Sequence, residues 1–339
     1  MRLVRSDAPG GAPPLLLPRP GGAPSAPFGS VPDMTPPRVA VGPLPSPFAT
    51  EAVVEGGGTV TPVGDSPDAI VWLDPADVDG LRGYLAQAPG AAWVQLPFAG
   101  VERIADEGLL DHERVWTCAK GSYAEPVAEH ALTLALAGLR HLPERIVARS
   151  WGIPAGTSLY DQQVTILGGG GITTSLLEQL APFRVEATVV RRSPDPVPGA
   201  ARTVQVEQLH DVLGGSLLVV LALALTPSTR GIIGSAELEL MDERAWLVNV
   251  ARGAHVDTDA LVTALRAGTI AGAALDVTDP EPLPDGHPLW DLPNCIITPH
   301  TADTIEMVMP LLADRIRTNV ARFAQGATLV GLVDPDAGY

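Results

Sequence analysis

Lysine is almost missing from this sequence: of its 22 basic residues only Lys120 is a lysine, so nearly all positive charge is arginine. Basic residues are in turn outnumbered by 39 acidic ones, for a formal net charge of −17. Nucleic acid and anionic membranes repel such a chain, so neither is expected as a partner. Cysteine is nearly as scarce. Cys118 and Cys295 match no metal-ligand spacing and make no disulfide framework, as in a reducing compartment. No metal is expected, and the expected location is the cytoplasm. The longest apolar run, 217–225, is far too short to span a bilayer. Arg2 and Arg5 stand near the N-terminus, but Pro13, Pro14 and Pro18 interrupt the leucines that follow, leaving no secretory h-region.

What is present suffices for two domains: 339 residues, 46% of them hydrophobic, can fill two cores. Residues 1–37 are dominated by Pro, Gly, Ala and Ser and are expected to form a disordered leader. Short apolar runs at 38–41, 69–73 and 92–96, with a helical stretch over 75–86, predict a small α/β domain. Pro126 opens a helix that is hydrophobic nearly all round, the kind buried in a large core or an interface. Six further runs, near 164–167, 185–190, 217–223, 246–250, 272–276 and 295–298, alternate with helices and predict a parallel sheet. One of those helices, 259–267, is expected to be capped by Thr258 and stopped at Gly268. After His300 an amphipathic helix carries Ile305, Val308, Leu312, Ile316, Val320 and Phe323 on one face. It finds no strand left to serve in the second domain, so it is expected to cross back to the first.

The most informative stretch is 164–173. Val164 to Leu167 read as a buried strand, Gly168 to Gly171 as a turn almost without side chains, and Ile172 opens a helix that Pro182 stops. Strand, glycine turn, helix and a second strand at 185–190 make a dinucleotide-binding βαβ unit. A bare turn lets backbone N–H groups of Gly168, Gly170, Gly171 and Ile172 approach a pyrophosphate at the helix N-terminus. The third fingerprint position is Thr173, which either shifts the helix or offers its hydroxyl to the pyrophosphate.

Polar residues follow three later strands, where an α/β enzyme places its catalytic groups. Arg252 follows 246–251, Asp276 closes 273–275 with Glu281 shortly after, and His300 follows 296–299.

The segments VNVARGAHVD (248–257), AALDV (273–277) with EPLP (281–284), and HPLWDLPN (287–294) running to TPH (298–300) resemble the signature of the D-isomer-specific 2-hydroxyacid dehydrogenases. LTPSTRG (225–231) and PVAEH (126–130) resemble further segments of that family, and the likeness covers about 38–339. The resemblance implies an α/β protein of two Rossmann-like domains. A dinucleotide-binding domain, 126–304, would be inserted into a flavodoxin-like substrate domain made of 38–125 and 305–339. It also implies a homodimer, for which the apolar helix from Pro126 is the expected seam. The implied reaction is hydride transfer between a nicotinamide and a small 2-oxo or 2-hydroxy acid.

Residue chemistry agrees with that reaction. Reducing a carbonyl needs a proton for the developing alkoxide, and His300 is the natural donor. Glu281, hydrogen-bonded to the imidazole, would favour its charged form. Arg252 offers a planar fork for the substrate carboxylate and carbonyl. Asp276 would hold the nicotinamide carboxamide, and Thr226 lies in a cofactor segment. Phe98, Ala99 and Gly100 match the loop whose backbone N–H groups bind the substrate carboxylate, with Phe98 where smaller residues are usual. Asp303 puts an extra negative charge near His300.

At the end of the second strand, where NAD-preferring members carry an acid for the ribose hydroxyls, this chain has Arg191, Arg192 and Ser193. A cationic pair there suits a 2′-phosphate, so NADP(H) is expected over NAD(H). Two other functions stay open: a dinucleotide-sensing binding protein of the same fold, and a relative acting on formate or a phosphorus oxyanion. The apolar Leu96-Pro97-Phe98 segment offers the latter no polar pocket.

Overall fold

The computed structural model describes residues 35–336 and Gly338; the expected leader lies outside them except for 35–37. The first sheet holds β1 (Arg38–Gly42), β2 (Thr59–Val60), β3 (Ala69–Trp72), β4 (Trp93–Gln95) and β5 (Val115–Thr117). These five strands pair with one another in parallel, in the order β2-β1-β3-β4-β5. Its central strands are covered on both faces, which is why β3 reads as an unbroken apolar run with every residue buried. Helices α1 (Pro47–Glu55), α2 (Val78–Gln87) and α3 (Glu102–Asp106) make the crossovers. The Asp77 carboxylate starts α2 by accepting the Gly80 N–H at 2.8 Å.

From β5 the chain enters α4 (Ala124–Leu139), two residues before the proline expected to open it, and then α5 (Leu142–Val147). The second sheet follows: β6 (Gln163–Leu167), β7 (Glu186–Val190), β8 (Arg202–Val204), β9 (Leu218–Leu221), β10 (Trp246–Asn249), β11 (Gly272–Leu275) and β12 (Cys295–Ile297). Its order is β12-β11-β10-β9-β6-β7-β8, again all parallel. The winding reverses between β6 and β9, and such a reversal opens a crevice at the carboxyl ends of the strands. Connecting helices are α6 (Gly171–Leu180), α7 (Leu209–Leu213), α8 (Ser235–Leu240) and α9 (Thr258–Ala267). The cap of α9 is Asp257 rather than Thr258. Its carboxylate accepts the Ala260 N–H at 3.0 Å, and Gly268 ends the helix at φ +71°.

The last helix, α10 (Ile305–Ala324), packs on α1 of the first sheet. Asn319, fully buried, donates to Gln95 Oε1 and to Val330 O, each at 2.9 Å, so β4, α10 and the C-terminal segment share one polar anchor. Helix α4 instead packs on α6, β10 and β11. Its Val127, Ala131, Leu134 and Leu139 are buried there, so much of its apolar surface is covered within the chain. No described helix is long and apolar enough to cross a membrane.

Candidate active site

The glycine turn sits at the crevice because β6 runs too close to its neighbour for any side chain. Gly168 has φ +108°, and a Cβ there would stand 2.1 Å from Ala222 O. Thr173 is buried, and its hydroxyl donates to Gly168 O at 2.8 Å. The hydroxyl thus fastens the helix to its own turn instead of facing a pyrophosphate. Gly168, Gly170, Arg191, Arg192, Ser193 and Thr226 line one cavity of about 530 Å³. The Arg191 chain lies along the turn, its Cδ 2.8 Å from where a Gly169 Cβ would be. Glu207, which the sequence did not single out, lines the same cavity. A phosphate-bearing dinucleotide fits this site: the turn is bare, the space is ample, and two guanidinium groups outweigh one carboxylate.

Gly171 and Ile172 line a second cavity of about 200 Å³ together with Ala99, Gly100, Lys120 and Arg252. Arg252 reaches it from the loop after β10, its Nη1 held by Ala251 O at 2.8 Å. Gly100 leaves room for the guanidinium: a Cβ there would stand 1.9 Å from Arg252 Nη2, which would have to shift. Glu102, the first residue of α3, faces Arg252 from the other side of the cleft, Nε to Oε1 at 3.4 Å. The loop before it is pinned: Ala119 N–H donates to Phe98 O at 3.0 Å, and the Tyr123 hydroxyl donates to Pro97 O. Phe98 is 38% exposed, with its ring edge-on to Tyr123, so it is not a core residue, but unlike Ala99 and Gly100 it is absent from the lining of the cavity.

His300 and Glu281 are not in the lining of that cavity, but they are joined to each other, His300 Nδ1 to Glu281 Oε1 at 2.6 Å. The backbone of His300 is left-handed, φ +52°, which is costly for a residue with a Cβ. Asp276 holds it so. The His300 N–H donates to Asp276 O at 2.8 Å. The Asp276 carboxylate meanwhile accepts from Thr298 Oγ1 at 2.6 Å, Thr301 N–H at 2.9 Å and Ala302 N–H at 3.1 Å. His130, from α4, brings Nε2 to 3.2 Å from Asp276 Oδ1 and 3.1 Å from Thr298 Oγ1. Burial alone would raise the Asp276 carboxyl; the donors from His130, Thr298, Thr301 and Ala302 overcome it and hold the group at about 2. Asp276 is thus largely engaged by the protein itself, under the loop that presents His300.

Asp303, three residues after His300, is held above the ordinary carboxylate range. Burial pushes its carboxyl up and Asp276 adds to the effect, while His300 and Arg252 pull it down. His255 lies behind Arg252, fully buried, with Nδ1 3.0 Å from Arg252 O and Nε2 3.3 Å from Ala224 O. Burial lowers its pKa. His130 ends the family-like segment PVAEH, a likeness that by itself assigns it no role. Glu102 gave one weak signal, its place two residues after Gly100. Among the described residues no cluster of three metal-ligating side chains occurs.

Comparison with known proteins matches residues 131–302 to the NAD binding domain of the D-isomer specific 2-hydroxyacid dehydrogenases. An uncharacterized protein of Corynebacterium melassecola is 38% identical, over 86% of this chain and 96% of its own. Glyoxylate/hydroxypyruvate reductase A of Serratia proteamaculans is 32% identical, over 80% of this chain and 87% of its own. The crystal structure of a D-isomer specific 2-hydroxyacid dehydrogenase from Xanthobacter autotrophicus, in complex with NADPH and MES, superposes with TM-score 0.78 at 27% identity, covering 90% of this chain and all of that one. With the two parallel sheets and the glycine turn already described, these matches decide the family: the chain belongs to the D-isomer-specific 2-hydroxyacid dehydrogenases.

Proposed function

We propose that this protein is an NADPH-dependent reductase of small 2-oxo acids, acting in the cytoplasm, and that the His300–Glu281 pair supplies its proton. The observation that carries the reading is that pair, 2.6 Å apart on loops ending the sheet whose crevice holds the glycine turn. In this reading 126–304 binds the dinucleotide, and 38–125 with 305–339 binds the acid. Gly168, Gly170, Gly171, Ile172 and Thr226 would hold the dinucleotide backbone, and Arg191, Arg192 and Ser193 its 2′-phosphate. Bound there, the reduced nicotinamide supplies a hydride.

The chain's own residues do the rest. The N–H groups around Phe98, Ala99 and Gly100 receive the substrate carboxylate, and Arg252 binds the carboxylate and carbonyl oxygens as a fork. His300 Nε2 donates the proton to the forming alkoxide, and Glu281 keeps Nδ1 protonated and the ring oriented. Asp276 serves through its hold on the His300 loop, beside any contact with the carboxamide. A second copy of the chain is proposed to join at α4 and the segment after it, where Ile146, Val147, Trp151 and Ile153 are each at least 67% exposed.

Mixing the protein with NADPH and glyoxylate, hydroxypyruvate, pyruvate or a branched 2-oxo acid tests the reading. Loss of nicotinamide absorbance with at least one of them is expected. NADPH binding without turnover on any would overturn it in favour of a dinucleotide sensor.

A further inference from the structure

The one lysine of the chain lines the small cavity between the Ala99–Gly100 loop and the glycine turn. Its backbone is fixed from two sides. Arg315, buried on α10, donates to Cys118 O at 2.7 Å and to Lys120 O at 3.1 Å. The next residue, Gly121, lies against the start of α6: a Cβ on Gly171 would stand 3.3 Å from Gly121 Cα. Among the described residues no carboxylate comes within ion-pair distance of the Lys120 ammonium, although the chain carries 39 acidic side chains. The other cation lining the cavity, Arg252, already faces Glu102 at 3.4 Å. Cys118, two residues before Lys120, donates its Sγ–H to Ala99 O at 3.6 Å, which ties the Lys120 segment to the substrate loop.

We infer that Lys120 is an anion-holding residue of the cleft: its ammonium receives an oxyanion that a reactant brings between the two sheets. Lys120 is exposed at the edge of the cavity, and in a strongly acidic protein an unmatched cation there draws anions to that spot. An ammonium, compact and with three rotatable donors, can follow an oxyanion that a rigid guanidinium fork cannot. Two reactants of the proposed reaction carry such a group there: the pyrophosphate of the dinucleotide, since Gly170–Ile172 form one wall, or a second carboxylate on a dianionic 2-oxo acid, since Ala99–Gly100 form the other. The inference rests on the dehydrogenase reading for both.

A single lysine makes the test direct. The full-length protein is acylated with an acetyl N-hydroxysuccinimide ester, and modification of Lys120 is followed by peptide mass mapping, which separates it from the chain's α-amine. Protection by NADP⁺ alone assigns the pyrophosphate. Protection only when oxaloacetate is added, with pyruvate ineffective, assigns the distal carboxylate. In either case Lys120→Gln is expected to raise the dissociation constant of that reactant by roughly tenfold, as for a lost charge-assisted hydrogen bond, while Lys120→Arg, which keeps the charge but not the compact rotatable donors, recovers only a minor part of it. Acylation at one rate under all conditions, with unchanged constants in Lys120→Gln, overturns the inference. Turnover of the unmodified protein separates the two claims. An active enzyme with an unprotected Lys120 sinks only this inference, and a protected Lys120 in an inert protein sinks only the dehydrogenase reading.

Discussion

Arg252 and Glu102 face each other across the cleft, Nε to Oε1 at 3.4 Å, each about one-third exposed. The guanidinium proposed to bind the substrate carboxylate is therefore already met by a carboxylate of the chain. A pair so loose and so wet is worth under about 1 kcal/mol, so a substrate displaces it at little cost. Glu102→Gln is expected to lower KM for the 2-oxo acid by up to roughly fivefold and leave kcat nearly unchanged. Steady-state kinetics decide: a fall in kcat at constant KM would mean that Glu102 aims Arg252 rather than competing for it.

The His300–Glu281 hydrogen bond predicts a graded loss. His300→Ala removes the proton donor and should cost roughly 10²- to 10⁴-fold in kcat, with NADPH binding retained. Glu281→Gln, close in shape but uncharged, should cost less. A His300→Ala enzyme within about tenfold of the parent would remove His300 from the reaction.

Much of this site could be read from the chain alone. The glycine turn, the runs ending at Arg252, Asp276 and His300, and the return of the last helix all have strong local signals, because strands of a buried parallel sheet are continuous apolar runs. Strands β2 and β8 left no comparable trace: they are edge strands of two and three residues, where pairing rather than burial holds the backbone. Short helices such as α3 were equally silent. Glu102 and His130 act through partners 146 and more residues away in the sequence, and no local pattern reports such a distance. The Thr173 hydroxyl was legible as a departure but not in its direction, since its acceptor, Gly168 O, belongs to the turn's own backbone.

Cofactor choice should follow Arg191. NADPH is expected to exceed NADH in kcat/KM, and Arg191→Asp should reverse the order by removing a cation and adding repulsion against the 2′-phosphate. The ratio of the two specificity constants, before and after substitution, is the measurement. A wild type indifferent to the phosphate would refute it.

Asp276 should make the fold sensitive to acid. Its carboxyl is held at about 2 in the native protein and returns to an ordinary value on unfolding. Between about pH 4 and 2 the unfolded chain therefore binds the extra proton, and stability is lost as pH falls through that window. Asp276→Asn should be less stable at neutral pH, and its denaturation midpoint should fall less steeply between those limits. Equal slopes for the two proteins would show that the carboxylate is not held as described.

Exposed apolar residues after α4 predict the assembly. Trp151 is 96% exposed and Ile153 82%, which a second copy of the chain would relieve. Sizing at micromolar concentration should give a dimer, and Trp151→Glu combined with Ile153→Glu should give a monomer. A monomeric wild type would leave those side chains without the partner proposed.

The anchoring of α10 on α1 has a consequence for synthesis on the ribosome. Every strand of the seven-stranded sheet is made before α10 emerges, so that sheet can close while its neighbour still waits for a missing wall. Until Asn319 reaches Gln95, the five-stranded sheet keeps an apolar face open to chaperones and to other nascent chains. A chain that stops early would thus finish the dinucleotide crevice yet never complete the lobe that faces it.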